Sequence, residues 1–237
     1  MSAPARLYLL PAPLSQDTPP QAVVPALALE RIRGLDRFIA ENAKTARAWL
    51  AACGHPKPLR EIAITELNEH TPERDVPALL DPVLAGQDAG LLSEAGMPAV
   101  ADPGSALVAA AHARGVTVVP CVGPSSILLA LAASGLEGQR FRFVGYLPAE
   151  AAGRREALLE LERRSARDRE TQIFIETPYR NDAMLGELLK SLKPATRVAV
   201  AVELTSPQEW IAMDTVAGWR KRGTTIGKRP AIFLVGA

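Results

Sequence analysis

Short apolar runs alternate with helix-period segments along almost the whole chain, and this alternation restricts the fold more than any single motif. RLYLLPA (Arg6–Ala12), DRFIAE (Asp36–Glu41), REIAIT (Arg60–Thr65), DAGLLSE (Asp88–Glu94) and VTVVPCV (Val116–Val122) have strand length. Between them lie PPQAVVPALALERIRG, NAKTARAWLAACG, PERDVPALLDPVLAG and DPGSALVAAAHARG, which read as helices although Pro25, Pro77 and Pro82 disturb them. The last of these has clear ends. Asp102 can cap it, Pro103 suits the first helical position and Gly115 can close it. Near-continuous apolar strands separated by helices predict an open five-stranded parallel sheet with right-handed crossovers.

The second half keeps the rhythm. PSSILLALAASG reads as a helix, FRFVGYLPA as a strand, and GRREALLELERRSARDRE as a highly charged helix. TQIFIETPYRN is a strand running into a helix, with Thr177 as its cap and Pro178 next. Met184, Leu185, Leu188, Leu189 and Leu192 fall on one face of that helix. TRVAVAVELT, the start of QEWIAMDTVAGWRKRG, and RPAIFLVGA supply further strands. The expectation is two α/β domains, residues 1–121 and 122–237, the second with a mixed sheet.

Composition narrows the function. The chain has 237 residues, 48% hydrophobic and only 5% aromatic, which suits helices on a buried sheet better than an aromatic-rich sandwich. It contains no run of about 18 apolar residues, so no transmembrane helix is expected. MSAPARLYLLPAPLSQD is too short in its apolar part, and too broken by proline, for a secretion signal. A cytoplasmic protein without a membrane partner is predicted. Cys53 and Cys121 read as two buried thiols rather than a bridge. His55, His70 and His112 sit in separate segments, so no metal site is expected. Residues 1–120 carry 10 Lys and Arg against 13 Asp and Glu, and residues 121–237 carry 17 against 13. The mildly basic second half permits an anionic partner but falls short of a dedicated nucleic-acid binder.

Ligands of open parallel sheets bind beyond the carboxyl ends of the strands. Four connections there have unusual chemistry: LPAPLSQD, SEAGMP, VGPSS and ETPY. VGPSS opens a helix with free backbone N–H groups and two hydroxyls, which suits an anion. Ser125 and Ser126 can cap that helix, contact a ligand, or do both. No phosphate-binding G-x-x-x-x-G-K-[ST], no G-x-G-x-x-G after the first strand and no G-x-S-x-G occurs. These residues alone leave a two-domain protein with a small-molecule site and an open ligand. Arg154 and Arg155 begin the charged helix, where positive charge opposes the helix dipole; an anionic substrate is one reason for it, a solvated face the other.

Taken in order, SEAGMPAVADPG, RGVTVVPCVGPSSILLALAASGL, FVGYLPA with GRREAL, IFIETPYR and VAVELT resemble successive blocks of the tetrapyrrole methylase superfamily. Within it they are most similar to the ribosomal RNA small-subunit methyltransferase I branch, cytidine 2′-O-methyltransferases. The matching order runs from Leu7 to Val235. The resemblance implies S-adenosyl-L-methionine (SAM) as methyl donor, a cleft for it between two α/β domains, and a homodimer. It implies ribosomal RNA or the small ribosomal subunit as partner. Carried over by matching segment, Ser93, Glu94, Ala95 and Gly96 contact SAM, as do Val122, Pro124, Ser125 and Ser126. Glu176, Thr177 and Tyr179, Leu204 and Thr205, and Pro230 and Ala231 are the second-domain candidates. Lys44, Arg154 and Arg155 are candidates for substrate contact.

The chain departs from the branch in its first half. The acid-Ala-Gly-Thr-Pro loop is Glu94-Ala95-Gly96-Met97-Pro98, and the first loop, Ala12 to Asp17, lacks the branch's Gly-Asn pair. Ala-Glu-Asp-Thr-Arg becomes Ala40-Glu41-Asn42-Ala43-Lys44, which replaces a planar fork by a point charge. Three readings stay open: an RNA 2′-O-methyltransferase, a methylase of a tetrapyrrole or other small molecule, and a SAM-binding protein without catalysis. Glu41, Glu69 and Glu176 are the carboxylates available as general base, and no catalytic residue is assigned.

Overall fold

A computed structural model of the chain describes residues 4–237. The chain parts into two compact units, one ending at Ser125 and the other spanning Ser126–Ala237.

In the first unit the elements run β1 (Arg6–Leu10), α1 (Pro20–Val23), α2 (Ala26–Gly34), β2 (Arg37–Ala40), α3 (Ala43–Ala52), β3 (Ala63–Glu66), α4 (Asp81–Leu84), β4 (Ala89–Leu92), α5 (Gly104–Ala113) and β5 (Thr117–Pro120). The strands form one sheet in the order β3-β2-β4-β1-β5, every pair parallel, as the alternation predicts. Successive residues of β1 feed opposite faces. Tyr8 and Leu10 pack with Ala28, Ile32 and Leu50 of α2 and α3, whereas Leu7 packs with Val83, Leu107 and Ala111 of α4 and α5. Helices thus cover both faces, and β4 is buried at all four residues.

Proline edits the helices. Pro25 separates α1 from α2 and stands at the cap of the latter. Residues Glu73–Leu80, with Pro77 inside, form a 3-10 segment rather than an α-helix. α5 begins at Gly104, with Pro103 in the cap position. Asp102 performs the capping by proximity: its Oδ1 accepts from Gly104 N at 2.9 Å and from Ala99 N at 2.7 Å.

The second unit contains α6 (Ser126–Ser134), β6 (Phe141–Tyr146), α7 (Ala151–Asp168), β7 (Thr171–Ile175), α8 (Asn181–Ser191), β8 (Arg197–Val202), β9 (Trp210–Thr215), α9 (Val216–Arg222) and β10 (Ala231–Gly236). Its sheet has the order β6-β7-β10-β8-β9. β6 and β7 are parallel, while β10 is antiparallel to β7 and β8, and β8 to β9, so the sheet is mixed as expected. β10 lies in the middle and is buried throughout. Phe233 stacks on Phe174 of β7 at 5.3 Å between ring centroids.

Two expectations are corrected. Thr177 does not cap a helix with its side chain; a 3-10 turn, Pro178–Arg180, precedes α8, and Glu176 Oε1 accepts from Thr177 N at 2.7 Å. The two cysteines are free, but only Cys53 is buried, and Cys121 is half-buried because it opens the loop after β5. Burial pushes the Cys53 thiol up to about 12. Among the described residues no group of His, Cys, Asp or Glu is placed to hold a metal ion, and no helix is long and apolar enough to cross a membrane.

Candidate functional site

β1 is flanked by β4 and β5, all parallel, so the three loops that follow them leave the same edge of the first sheet. The loops are stitched together. Ala12 N donates to Gly96 O at 2.8 Å and Gly96 N to Ala12 O at 3.0 Å. Gly96 has φ +74°, and a Cβ there would lie 3.3 Å from Leu14 Cδ2 and 3.6 Å from the Pro124 carbonyl oxygen. Only glycine takes that backbone readily and lets three loops approach this closely. On the other side the Pro11 ring occupies the place a Cβ of residue 123 would need.

Ser93, Glu94, Ala95, Gly96, Val122, Pro124 and Ser125 therefore share one loop cluster, and Ser126 opens α6 in the second unit. Their roles within the cluster differ. The Ser93 hydroxyl is turned into its own loop, 3.2 Å from Ala95 O and 3.4 Å from Gly96 O. Glu94 and Ala95 are exposed, and Pro124 and Gly96 are buried. Val122 is 74% exposed, an unusual position for valine.

Beside this cluster is a cavity of about 530 Å³, walled by the first loop, the start of α1, the outer stripe of α3 and Glu94–Ala95. A smaller recess shares Thr45, Trp49 and Glu94 with it and adds Glu41, Asn42 and Ser93. The N-terminus of α3 is fixed here by Asn42, whose Oδ1 accepts from Lys44 N at 2.8 Å and Thr45 N at 3.2 Å. Thr45 Oγ1 reaches Glu94 Oε1 at 3.3 Å. The Lys44 side chain is exposed in this first turn. Glu41 is held above the ordinary carboxylate range, by burial first and then by the negative charges of Glu94, Asp102 and Glu69.

The second-unit candidates also converge. Because β10 runs against β7 and β8, the ends of β7 and β8 meet the start of β10 at one edge of the sheet. Glu176, Glu203–Thr205 and Pro230–Ala231 lie there, and Glu203 N donates to Pro230 O at 2.9 Å. The Glu176 carboxylate is fully buried. Its Oε1 accepts from Arg180 Nε at 2.9 Å and Nη2 at 2.6 Å, while its Oε2 has no hydrogen-bond partner among the described residues. A buried carboxylate oxygen without a donor calls for one from a ligand or water. Leu204 and Ala231 are buried, Tyr179 is 79% exposed, and Lys228 stands over its ring at 5.2 Å. Glu203 and Thr205 have φ of +49° and +70°. That conformation is costly for a β-branched threonine, and such strain gathers at functional sites.

Arg154 donates through Nη1 to Ala149 O at 2.7 Å, so part of its charge fixes the entry to α7, whereas Arg155 is exposed. Sequence reasoning missed Arg180, Arg229 and Trp49. The first pairs with Glu176 and the second stands 3.7 Å from Glu203. The i, i+4 spacing of Glu176 and Arg180 was the readable signal. Nothing local marks Trp49 as a cavity wall.

The family model for tetrapyrrole (corrin/porphyrin) methylases matches residues 23–218. Among curated relatives, the ribosomal RNA small subunit methyltransferase I of Xylella fastidiosa is 34% identical over 92% of this chain and 75% of its own length. That of Escherichia coli O157:H7 is 31% identical over 97% of this chain and 77% of its own. Among solved structures, the methyltransferase CobJ superposes with a TM-score of 0.63 at 18% identity, over 98% of this chain and 94% of that one, which shows a shared fold. The chain belongs to the tetrapyrrole (corrin/porphyrin) methylase family, and it is a SAM-dependent methyltransferase.

Proposed function

We propose that this chain methylates ribosomal RNA of the small ribosomal subunit, at a ribose 2′-hydroxyl. The observation that carries the choice of acceptor is the relatives' shared name: those of Xylella fastidiosa and Escherichia coli, matched over more than nine-tenths of this chain, are both ribosomal RNA small subunit methyltransferases I.

The residues fit SAM. In the first unit Ser93–Gly96 and Val122–Ser125 offer backbone N–H and C=O groups on loops locked by the Ala12–Gly96 pairing. Ser126 follows at the start of α6. In the second unit the unpartnered Glu176 Oε2 accepts a ligand N–H, with Leu204 and Ala231 as apolar surface and Thr177, Tyr179, Thr205 and Pro230 around them. Bound SAM supplies an electrophilic methyl group on a sulfonium centre. The chain's own contribution is to orient the donor, exclude water and take the acceptor proton. Glu41 is the carboxylate assigned to that proton: it lines the recess that Ser93 and Glu94 also border, and burial raises its affinity for a proton. Lys44, Arg154 and Arg155 are the cations assigned to the RNA backbone.

The test is transfer of labelled methyl from SAM, offered in parallel to small ribosomal subunits and to a tetrapyrrole-containing small-molecule extract. Label in the RNA supports the proposal. Label in the small-molecule fraction alone assigns the chain to the other acceptor class, and SAM binding without transfer to either overturns the choice of ribosomal RNA as acceptor.

A further inference from the structure

The cavity beside the first-unit loops is not needed to explain the loops themselves. Its volume of about 530 Å³ lies within the range of small-molecule sites. Its α3 wall is the stripe Thr45, Ala48, Trp49 and Ala52, residues that share one helix face. Ala48 and Ala52 beside Trp49 add little bulk to this wall. Trp49 is the only aromatic lining residue, in a chain where aromatics are 5% of the composition. The other two tryptophans, Trp210 and Trp219, pack on each other in the second unit.

Trp49 is also held in place. It is half-buried and packs against the core cluster that contains Leu50 and Phe38. Its Nε1 is buried and has no hydrogen-bond partner among the described residues, a cost carried by the packing of the ring. Around the rim stand Gln16, whose amide both donates and accepts, and the exposed Glu94, which accepts. An aromatic ring in the wall and an amide at the edge match a planar heterocycle that carries both hydrogen-bond donors and acceptors.

Resting on the RNA-methyltransferase reading above, we infer that this cavity receives one unstacked base of the acceptor RNA, laid against the Trp49 indole. Proteins that read RNA splay single bases onto aromatic side chains in this manner. A base held here brings its own ribose toward Glu94 and Glu41, which border the shared recess. Trp49 is then a positioning residue for the acceptor, with no part in holding SAM.

The experiment compares wild type with Trp49→Phe, Trp49→Leu and Trp49→Ala. Each is assayed for methyl transfer to undermethylated small ribosomal subunits and, by calorimetry, for SAM affinity. Trp49→Ala and Trp49→Leu are expected to lower kcat/KM for the subunit by about 5- to 150-fold, the range given by loss of one base–aromatic stack. Trp49→Phe keeps an aromatic ring of smaller area, so it falls between them and wild type. SAM affinity stays unchanged in all three. Transfer unchanged in Trp49→Leu, which still fills the core side, overturns the inference. So does a loss of SAM affinity that matches the loss of transfer, because the cavity would then belong to the donor. If wild type methylates no subunit, the RNA reading fails, and the cavity is tested alone by tryptophan fluorescence with nucleoside monophosphates. Quenching that disappears in Trp49→Phe keeps the base site, and no quenching overturns it.

Discussion

Gly96→Ala, set against Gly115→Ala, isolates what the loop cluster does. Both glycines have left-handed backbones, φ +74° and φ +70°. A Cβ in that conformation costs about 1–2 kcal/mol. For a chain of this size that lowers the melting temperature by roughly 2–4 °C per kcal/mol. Gly115 closes α5 with nothing within 4 Å of the added Cβ, so its variant pays the backbone term alone. At Gly96 the methyl also meets Leu14 Cδ2 at 3.3 Å and the Pro124 carbonyl at 3.6 Å. Leu14 can give by a few tenths of an ångström, so the two variants melt within about 1 kcal/mol of each other. Binding is where they separate. The left-handed backbone strains the turn Ser93–Gly96, whose backbone groups are assigned to SAM, and the methyl displaces Leu14 beside it. Losing one or two hydrogen bonds, at about 1 kcal/mol each, weakens affinity roughly 5- to 30-fold. Calorimetric titration with SAM reads this directly. Gly96→Ala is expected to bind about tenfold more weakly than Gly115→Ala. Equal affinities in two equally folded variants would refute the assignment of Ser93–Gly96 to SAM.

Two further perturbations follow from half-buried carboxylates. Burial raises the Asp102 carboxyl, against the lowering effect of its hydrogen bonds from Gly104 and Ala99. Its folded state therefore binds a proton more tightly than the unfolded chain, and stability falls as pH rises from the ordinary Asp range through the raised value. Asp102→Asn removes that penalty and keeps an acceptor oxygen, so thermal melts at neutral pH should match or exceed wild type, while Asp102→Ala should lose about 1 kcal/mol. An Asn variant as unstable as the Ala variant would contradict this account of the turn. Glu41 acts as a base only when ionised, so transfer should fall as pH drops through its raised value, giving an acid limb above the usual carboxylate range. Glu41→Gln should lower kcat by about 100-fold or more; a pH profile and kcat indistinguishable from wild type would remove Glu41 from the reaction.

Much of the fold was legible because local pattern and global burial agree. The runs that became β4 and β10 are apolar throughout and buried at every residue, and β8 is apolar and buried after Arg197. The order β3-β2-β4-β1-β5 was not legible, since it depends on pairings between residues far apart, such as Leu7 with Ala89 and Arg6 with Thr117. Thr177 was misread because a 3-10 turn follows it, in which Arg180 N donates to the Thr177 carbonyl and the threonine hydroxyl caps nothing. The site was visible only as unusual loop chemistry. Gly96 announces its turn by being glycine, whereas Glu203 and Thr205 adopt positive φ with no local signal. The buried, unpartnered oxygen of Glu176 and the buried indole N–H of Trp49 are products of tertiary packing, which no spacing in the chain encodes.

The acceptor decides the account. Small ribosomal subunits incubated with the chain and methyl-labelled SAM can be stripped of protein, and their RNA digested to nucleosides and resolved by mass spectrometry. One labelled nucleoside is expected, carrying its methyl on the ribose 2′-oxygen and absent when the chain is omitted. Label on a base, or on no nucleoside while a small molecule in the extract takes it, would contradict it.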